Sequence, residues 1–265
     1  VNKDKLTMKE DMPLILISND DGYHSKGIRS LVDMVKDLGD VIVCAPESAR
    51  SGFSCAFSAT IPLEIKERHN MGDTIVWSCN GTPVDCIKIA LDQFYGKKKP
   101  NIILGGINHG DNSSVNAHYS GTMGIVMEGC MKGIPSVAFS LCDEKSDADF
   151  SPLRYVVRNT VTKVLTNGLP TGVCLNINFP KTQHFAGIKY CRMAMGTWVN
   201  EIVKAHHPRN YDYFWMVGHY QLEEPNAKDT DRWALSHNYV AVTPTSMDIT
   251  NYEFLNMLRT KSQES

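Results

Sequence analysis

The chain has 265 residues, 42% hydrophobic and 21% charged, the balance of a folded globular protein rather than a disordered one. Its 27 Lys and Arg against 29 Asp and Glu leave a formal net charge of −2, which argues against a binder of nucleic-acid polymers, whose grip comes from many basic contacts to phosphates. No apolar run approaches the roughly 18–20 residues needed to cross a bilayer, so no membrane partner is expected.

Residues 1–12 are rich in Lys, Asp and Glu and lack an apolar core, so they do not read as a secretory signal. Residues 13–18 (PLILIS) form a continuous apolar run, as a strand buried on both faces requires. Asn-Asp-Asp-Gly follows as loop chemistry, and Ile28, Leu31, Val32, Val35 and Leu38 then recur at helical spacing. Residues 40–45 (DVIVCA) predict a second buried strand, stopped by Pro46. This β-loop-α-β opening is the unit that builds parallel sheets.

The alternation continues with strands over 59–66 and 74–79, a helix over 83–94 and a short strand over 101–104 that ends at Gly105-Gly106. A polar loop over 108–119 leads into a helix over 120–131, a strand over 135–141, a helix over 152–167 closed by Gly168, and a strand over 173–179. Beyond about residue 180 the rhythm changes to short alternating segments at 188–192, 198–205, 213–217 and 239–243, with a closing helix over 251–259. The chain therefore reads as a single α/β domain over 1–265, with a core over about 12–180 and a β-rich extension over about 181–265. Its eight cysteines contain no Cys-x-x-Cys pair and sit mostly in apolar runs, as reduced core thiols of a cytoplasmic protein would.

In an open parallel sheet, ligands bind outside the carboxyl ends of the strands. The segments in those places are Asn19-Asp20-Asp21-Gly22, the stretch from Pro46 to Gly52 that holds Arg50 and Ser51, and Gly105 to Asn112 with Asn108. Adjacent carboxylates are hard oxygen ligands for Mg²⁺ or Mn²⁺, and Ser51 and Asn108 add neutral oxygens. The same two Asp residues serve equally well as turn or helix-capping groups, and the residue pattern leaves both readings open. Ser120-Gly121-Thr122 opens a helix, whose free N–H groups attract anions, and Ser120 also serves as an ordinary cap. Arg50 and His118 are candidate phosphate contacts.

Other features read blandly. Lys97-Lys98-Lys99 is a solvated helix end. His206-His207 lacks a third metal ligand at a useful spacing. Trp198, Tyr211, Tyr213, Phe214 and Trp215 suit packing of the extension more than stacking on a nucleobase.

The string Ser18-Asn19-Asp20-Asp21-Gly22 resembles the S-N-D-D-G signature of the SurE survival-protein family of metal-dependent nucleotidases. Further ordered matches are Ala45-Pro46 with Arg50-Ser51-Gly52, Gly81-Thr82-Pro83-Val84-Asp85-Cys86, Gly106-Ile107-Asn108 with Gly110 and Asn112, and Tyr119-Ser120-Gly121-Thr122 with Glu128-Gly129. The resemblance covers most of the chain. It implies a Rossmann-like core with a C-terminal hairpin extension that assembles homodimers or homotetramers. It implies one Mg²⁺ or Mn²⁺ per subunit, held by Asp20, Asp21, Ser51 and Asn108. It also implies hydrolysis of nucleoside 5′- and often 3′-monophosphates, with some members acting on polyphosphate. On this basis Asp20, Asp21 and Asn108 are the expected catalytic residues. Asn112, Ser120, Gly121, Thr122 and Arg50 are expected to hold the phosphate. The attack is expected either from water positioned by Asp20 or through an Asp20-phosphoryl intermediate. A sensor that keeps the site without turnover is the competing class. Asn116 stands where the family usually carries an acidic residue, Glu47 stands for the usual Asp, and 195–235 match only loosely.

Overall fold

The computed structural model describes residues 12–69, 71–72, 74–94 and 99–262. The basic pair Lys97-Lys98 and the acidic and basic residues 1–11 lie outside the described residues. The apolar run at the start becomes β1 (Leu14–Ser18), all five residues buried. Its side chains divide by strand alternation: Ile15 and Ile17 enter one core cluster, Leu14 and Leu16 the other. Both faces of the sheet are thus covered, which explains why the strand reads as unbroken apolar sequence.

Helix α1 (Lys26–Val35) leads to β2 (Asp40–Pro46), which pairs with β1 in parallel. The expected strand over 59–66 is reduced to β3 (Ile65–Arg68), antiparallel to β4 (Ile75–Cys79); Ala59 and Thr60 are exposed in a loop with no neighbouring strand to pair them. Helix α2 (Pro83–Gln93) starts with a reciprocal cap, Thr82 and Asp85 bonding each other's backbone, with Pro83 in the first turn. The Gly-Thr-Pro-x-Asp string is therefore a folding signal. Asp85 also accepts from the Ser58 N–H at 2.9 Å and hydroxyl at 2.7 Å, tying down the preceding loop.

Strand β5 (Ile102–His109) runs five residues past its expected end, through Gly105-Gly106, with a register shift against its neighbour between Gly105 and Asn108. A short helix α3 (Asn116–Tyr119) precedes α4 (Gly121–Met131), which is followed by β6 (Ser136–Leu141), α5 (Arg154–Asn167) and β7 (Val173–Phe179). The extension contributes β8 (Gly187–Tyr190), β9 (Gly196–Val199), β10 (Ile202–His207), β11 (Tyr211–Met216), β12 (His219–Leu222), α6 (Asp231–Ser236), β13 (Tyr239–Ser246) and α7 (Tyr252–Lys261).

The main sheet has the order β3-β4-β2-β1-β5-β6-β7-β13-β8. Its parallel strands, counted among themselves, follow the 3-2-1-4-5-6 order of a Rossmann-like fold. Helices α1 and α5 pack on one face, α2 and α4 on the other. Two strands of the extension, β13 and β8, complete the sheet edge, while β9/β12 and β10/β11 form two successive antiparallel ladders of one projecting ribbon. Among the described residues no helix is long and apolar enough to cross a membrane.

The decisive feature is the reversal at β1. The chain first builds outward through β2 and β4, then returns to place β5 on the other side of β1. The loops after β1, β2 and β5 are thereby brought to one crevice.

Candidate active site

Beyond β1, the amide Nδ2 of Asn19 donates to the Gly22 carbonyl at 3.1 Å and to the Ser25 hydroxyl at 2.8 Å, which curls the loop. Ser25, not either aspartate, caps α1, its hydroxyl accepting from the Ile28 N–H. That settles the ambiguity in the residue pattern: Asp20 and Asp21 are free of capping duty.

Asp20 is only 4% exposed and forms one wall of the crevice. Its Oδ1 accepts from the Thr122 hydroxyl at 2.5 Å, and the Gly121 backbone also bonds to its carboxylate. Burial, with the neighbouring Asp21 charge, pushes its pKa up from 3.8 to about 6, against the pull of those two donors. Asp21 is raised as well, by burial, although the His109 N–H donates to its Oδ2 at 3.3 Å. Among the described residues neither carboxylate has a Lys or Arg partner at ion-pair distance.

Gly121 must be glycine for a packing reason. A Cβ there would lie 2.7 Å from Asp20 Cβ and 3.0 Å from its Oδ2. The start of α4 is pressed against Asp20, and Gly121 and Thr122 hold that carboxylate rather than lining the open space. Of the expected phosphate triplet only Ser120 faces the crevice, with its hydroxyl accepting from the Met123 N–H as the helix cap.

Ser51, exposed in the loop after β2, lines the crevice. Its neighbour Arg50 does not: the backbone N–H bonds to the Asp20 carbonyl at 2.7 Å, and the guanidinium donates to the Asn80 carbonyl at 3.0 Å. Arg50 thus joins two site loops instead of meeting a phosphate directly. His118 is exposed and likewise off the crevice, its carbonyl accepting from the Ser54 hydroxyl.

Asn108, at the end of β5, donates through Nδ2 to the carbonyls of Gly110 at 2.8 Å and His109 at 3.2 Å. This fixes the amide and leaves Oδ1 as the accepting atom for the crevice. Asn112 is held by a buried network unnoticed in the sequence. Its N–H donates to Asn178 Oδ1 at 2.7 Å, its Nδ2 to the Ser140 hydroxyl at 2.8 Å, and its carbonyl accepts from Asn176 at 2.8 Å. The available signal was the polar Asn-x-Asn within the otherwise apolar β7.

The crevice encloses about 440 Å³, within the size range of small-ligand sites. The core supplies its polar wall, to which His109, Asp111 and Asn116 belong although the sequence reading gave them no site role. The ribbon supplies the opposite wall through Trp198, Glu201, Met216 and Val217. Trp198 donates its indole N–H to Asn116 Oδ1 at 2.9 Å, while Asn116 Nδ2 reaches the Asp111 carbonyl at 3.5 Å. The amide at 116 therefore serves as a two-way bridge between core and ribbon, a task an aspartate could perform only on its accepting side. Fully buried Asp231 makes a second bridge, taking the N–H groups of Ser114 at 2.8 Å and Ala194 at 3.0 Å.

The donor types suit a hard divalent cation: buried Asp20, Asn108 and Ser51 line the crevice, and half-buried Asp21, next to Asp20 in the chain, lies behind that lining with its Oδ2 on the His109 N–H. Only the two aspartates are acidic, and among the described residues no group of three or more His, Cys, Asp or Glu is arranged for a metal. His206 pairs with Asp212 and His207 stacks on Tyr211, away from the crevice.

Fold and site together define a Rossmann-like α/β protein with an acidic, oxygen-lined crevice at the topological switch point. The family described as "Survival protein SurE" matches residues 15–200. Proteins called "5'-nucleotidase SurE" from Phocaeicola vulgatus and Bacteroides thetaiotaomicron are 48% and 46% identical, over 95% and 97% of this chain and 98% and 99% of their own lengths. The solved "Crystal Structure of Sure Protein from Aquifex aeolicus" superposes with a TM-score of 0.79 at 34% identity, covering 94% of this chain and 100% of that one. The chain belongs to the SurE family.

Proposed function

We propose that this chain is a phosphomonoesterase that converts nucleoside 5′-monophosphates, and 3′-monophosphates too, to nucleoside and phosphate with one Mg²⁺ or Mn²⁺ per subunit. The observation that carries the reading is buried Asp20 on the crevice wall, with half-buried Asp21 next to it in the chain, no Lys or Arg at ion-pair distance from either among the described residues, and the free Oδ1 of Asn108 on the same crevice. The nucleotidase names of relatives nearly half identical over almost the whole chain support the same reaction class.

Asp20, Asp21, Asn108 and Ser51 are the residues that would hold the cation. Once bound, a divalent ion supplies charge at a phosphoryl oxygen and lowers the pKa of a water molecule. Asn112 and Ser120 hold the phosphate oxygens, Asn112 through the amide hydrogen that Ser140 does not use. Asp20 positions the attacking water and takes its proton. A hydroxylamine-labile phosphoenzyme would replace water attack by an Asp20-phosphoryl path.

The exposed apolar side chains of the ribbon, Ile202, Phe214, Trp215 and Met216, support a homodimer or homotetramer assembled through the extension. The reading places the enzyme in a reducing cytoplasm, in keeping with its free, mostly buried thiols.

The direct test is phosphate release from a panel of nucleoside monophosphates in Mn²⁺, in Mg²⁺ and in EDTA, beside calorimetric titration of the apo protein with each ion. Metal-dependent release from the panel is expected. Release undiminished in EDTA would remove the cation from the reaction, and none from any phosphomonoester would remove the activity.

A further inference from the structure

The ribbon changes course where it meets the crevice. Between β9 and β10, Asn200 takes a left-handed conformation with φ +54°, and opposite it Gly218 lies at φ +119°. A Cβ at Gly218 would come within 3.2 Å of Glu201 Cα and of the Val199 carbonyl. The Val217 N–H meets the Glu201 carbonyl at 2.7 Å, so the two strands remain joined through the break. Such interruptions re-aim side chains, and here they put Glu201, Met216 and Val217 on the crevice wall beside Trp198.

Glu201 is an anomaly for a site that takes a phosphate. Its carboxylate makes no hydrogen bond or ion pair among the described residues, yet it borders the same crevice as Asp20. A free carboxylate repels a phosphate dianion, so it is useful only where the ligand presents hydrogen-bond donors. Its neighbours have the character of a base site. Trp198 is anchored at its Nε1 edge by Asn116 and packs edge-on to Tyr220, with ring centres 6.4 Å apart, while Met216 and Val217 add apolar surface.

We infer that Glu201 reads the nucleobase and selects guanine. The guanine edge presents two adjacent donors, N1–H and the N2 amino group, which match the two oxygens of one carboxylate. Adenine and cytosine place a ring-nitrogen acceptor beside their single amino donor, and uracil flanks its single N–H with carbonyls, so each sets a lone pair against a carboxylate oxygen. Hypoxanthine offers N1–H but only a C–H where guanine has its amino group, and so lacks the second hydrogen bond. Trp198 provides the flat contact, which is indifferent to base identity. The nucleotide class itself rests on the function proposed above; what Glu201 adds is the choice among bases.

Two readouts keep the ideas separate. The first is kcat/KM for GMP, IMP, AMP, CMP and UMP with Mn²⁺. The second is the Kd of the same nucleotides by calorimetry in EDTA, which needs no turnover. The wild type should favour GMP over IMP and AMP by about tenfold in both, the size of one charge-assisted hydrogen bond at an open site. Glu201→Ala should flatten the panel. Glu201→Gln, which presents one acceptor and one donor, should lose about tenfold on GMP and shift preference toward AMP, whose edge is complementary to an amide. The substitutions fall at an exposed kink, so folding is not at stake. Equal values across the panel in the wild type, or a guanine preference retained in both variants, overturn the assignment. A guanine preference in Kd without phosphate release in Mn²⁺ would uphold it while refuting the nucleotidase reading, and neither binding in EDTA nor phosphate release in Mn²⁺ would refute both.

Discussion

Asp20→Asn should make the metal-free protein more stable at neutral pH while abolishing its activity. In the folded chain Asp20 holds its proton to about 6, whereas an exposed aspartate releases it near 3.8. Between those values the folded state binds more protons than the unfolded state, so stability falls as pH rises. Well below pH 3.8 both states are protonated and no penalty exists, and at pH 4 it is still small. Above about pH 6 the penalty is complete, at about 3 kcal/mol from the size of the displacement. Asparagine carries no charge to bury. Its Oδ1 can keep the Thr122 hydroxyl bond, while its amino group gives up the bond from the Gly121 backbone, a loss that does not depend on pH. The assay is urea unfolding in EDTA from pH 4 to 8 for both proteins. The wild type should lose stability relative to Asp20→Asn across this range, by up to about 3 kcal/mol, and Mn²⁺ should recover the loss in the wild type alone. The difference in slope is diagnostic, because a lost hydrogen bond would only offset the variant's curve. Parallel pH curves for the two proteins would refute the argument that an uncompensated buried charge sits at this position.

Gly121→Ala should destabilise the fold by about 1–3 kcal/mol through overpacking, because its Cβ falls 2.7 Å from Asp20 Cβ; a thermal melt and kcat should fall together, and an unaltered kcat would show that α4 does not position Asp20. Asn178→Ala leaves the buried Asn112 N–H without its acceptor, which should cost about 1–3 kcal/mol and raise KM for the phosphate substrate; an unchanged KM would remove Asn112 from the phosphate contacts. Phe214→Ser combined with Trp215→Ser should reduce the molar mass found by light scattering if the exposed ribbon side chains assemble the protein, and an unchanged mass would assign assembly to another surface.

Most elements of the sheet were legible because each buried strand leaves a local trace. Residues 13–18 and 40–45 carry continuous apolar runs, and β1 and β2 follow them closely. Strand β3 was not legible to the same degree: whether residues 59–66 are extended and paired depends on where β4 ends, and only Ile65–Arg68 finds its partner. Strand β5 was cut short for the opposite reason, since Gly105-Gly106 reads as a stop while pairing with β6 carries it on to His109. The expected segment over 198–205 merged β9 with β10, and β12 and helix α6 escaped notice because their apolar patterns are short; α6 is held by contacts with distant loops, those of Asp231 with Ser114 and Ala194.

The site divides along the same line. Composition and motif determined by themselves that this is an α/β protein with a carboxylate pair after the first strand, because those features are local in the chain. Which of the neighbouring polar residues face a ligand was decided only by the tertiary structure. Thr122 and Gly121 look like phosphate-binding residues but are consumed in holding Asp20, and Arg50 is turned toward Asn80. Asn176, Asn178 and Ser140 look like ordinary strand residues but set the position of Asn112. A side chain's chemistry is written in its residue type, but its free hydrogen-bonding capacity is what remains after its neighbours are satisfied. In this fold most of those neighbours lie scores of residues away in the sequence.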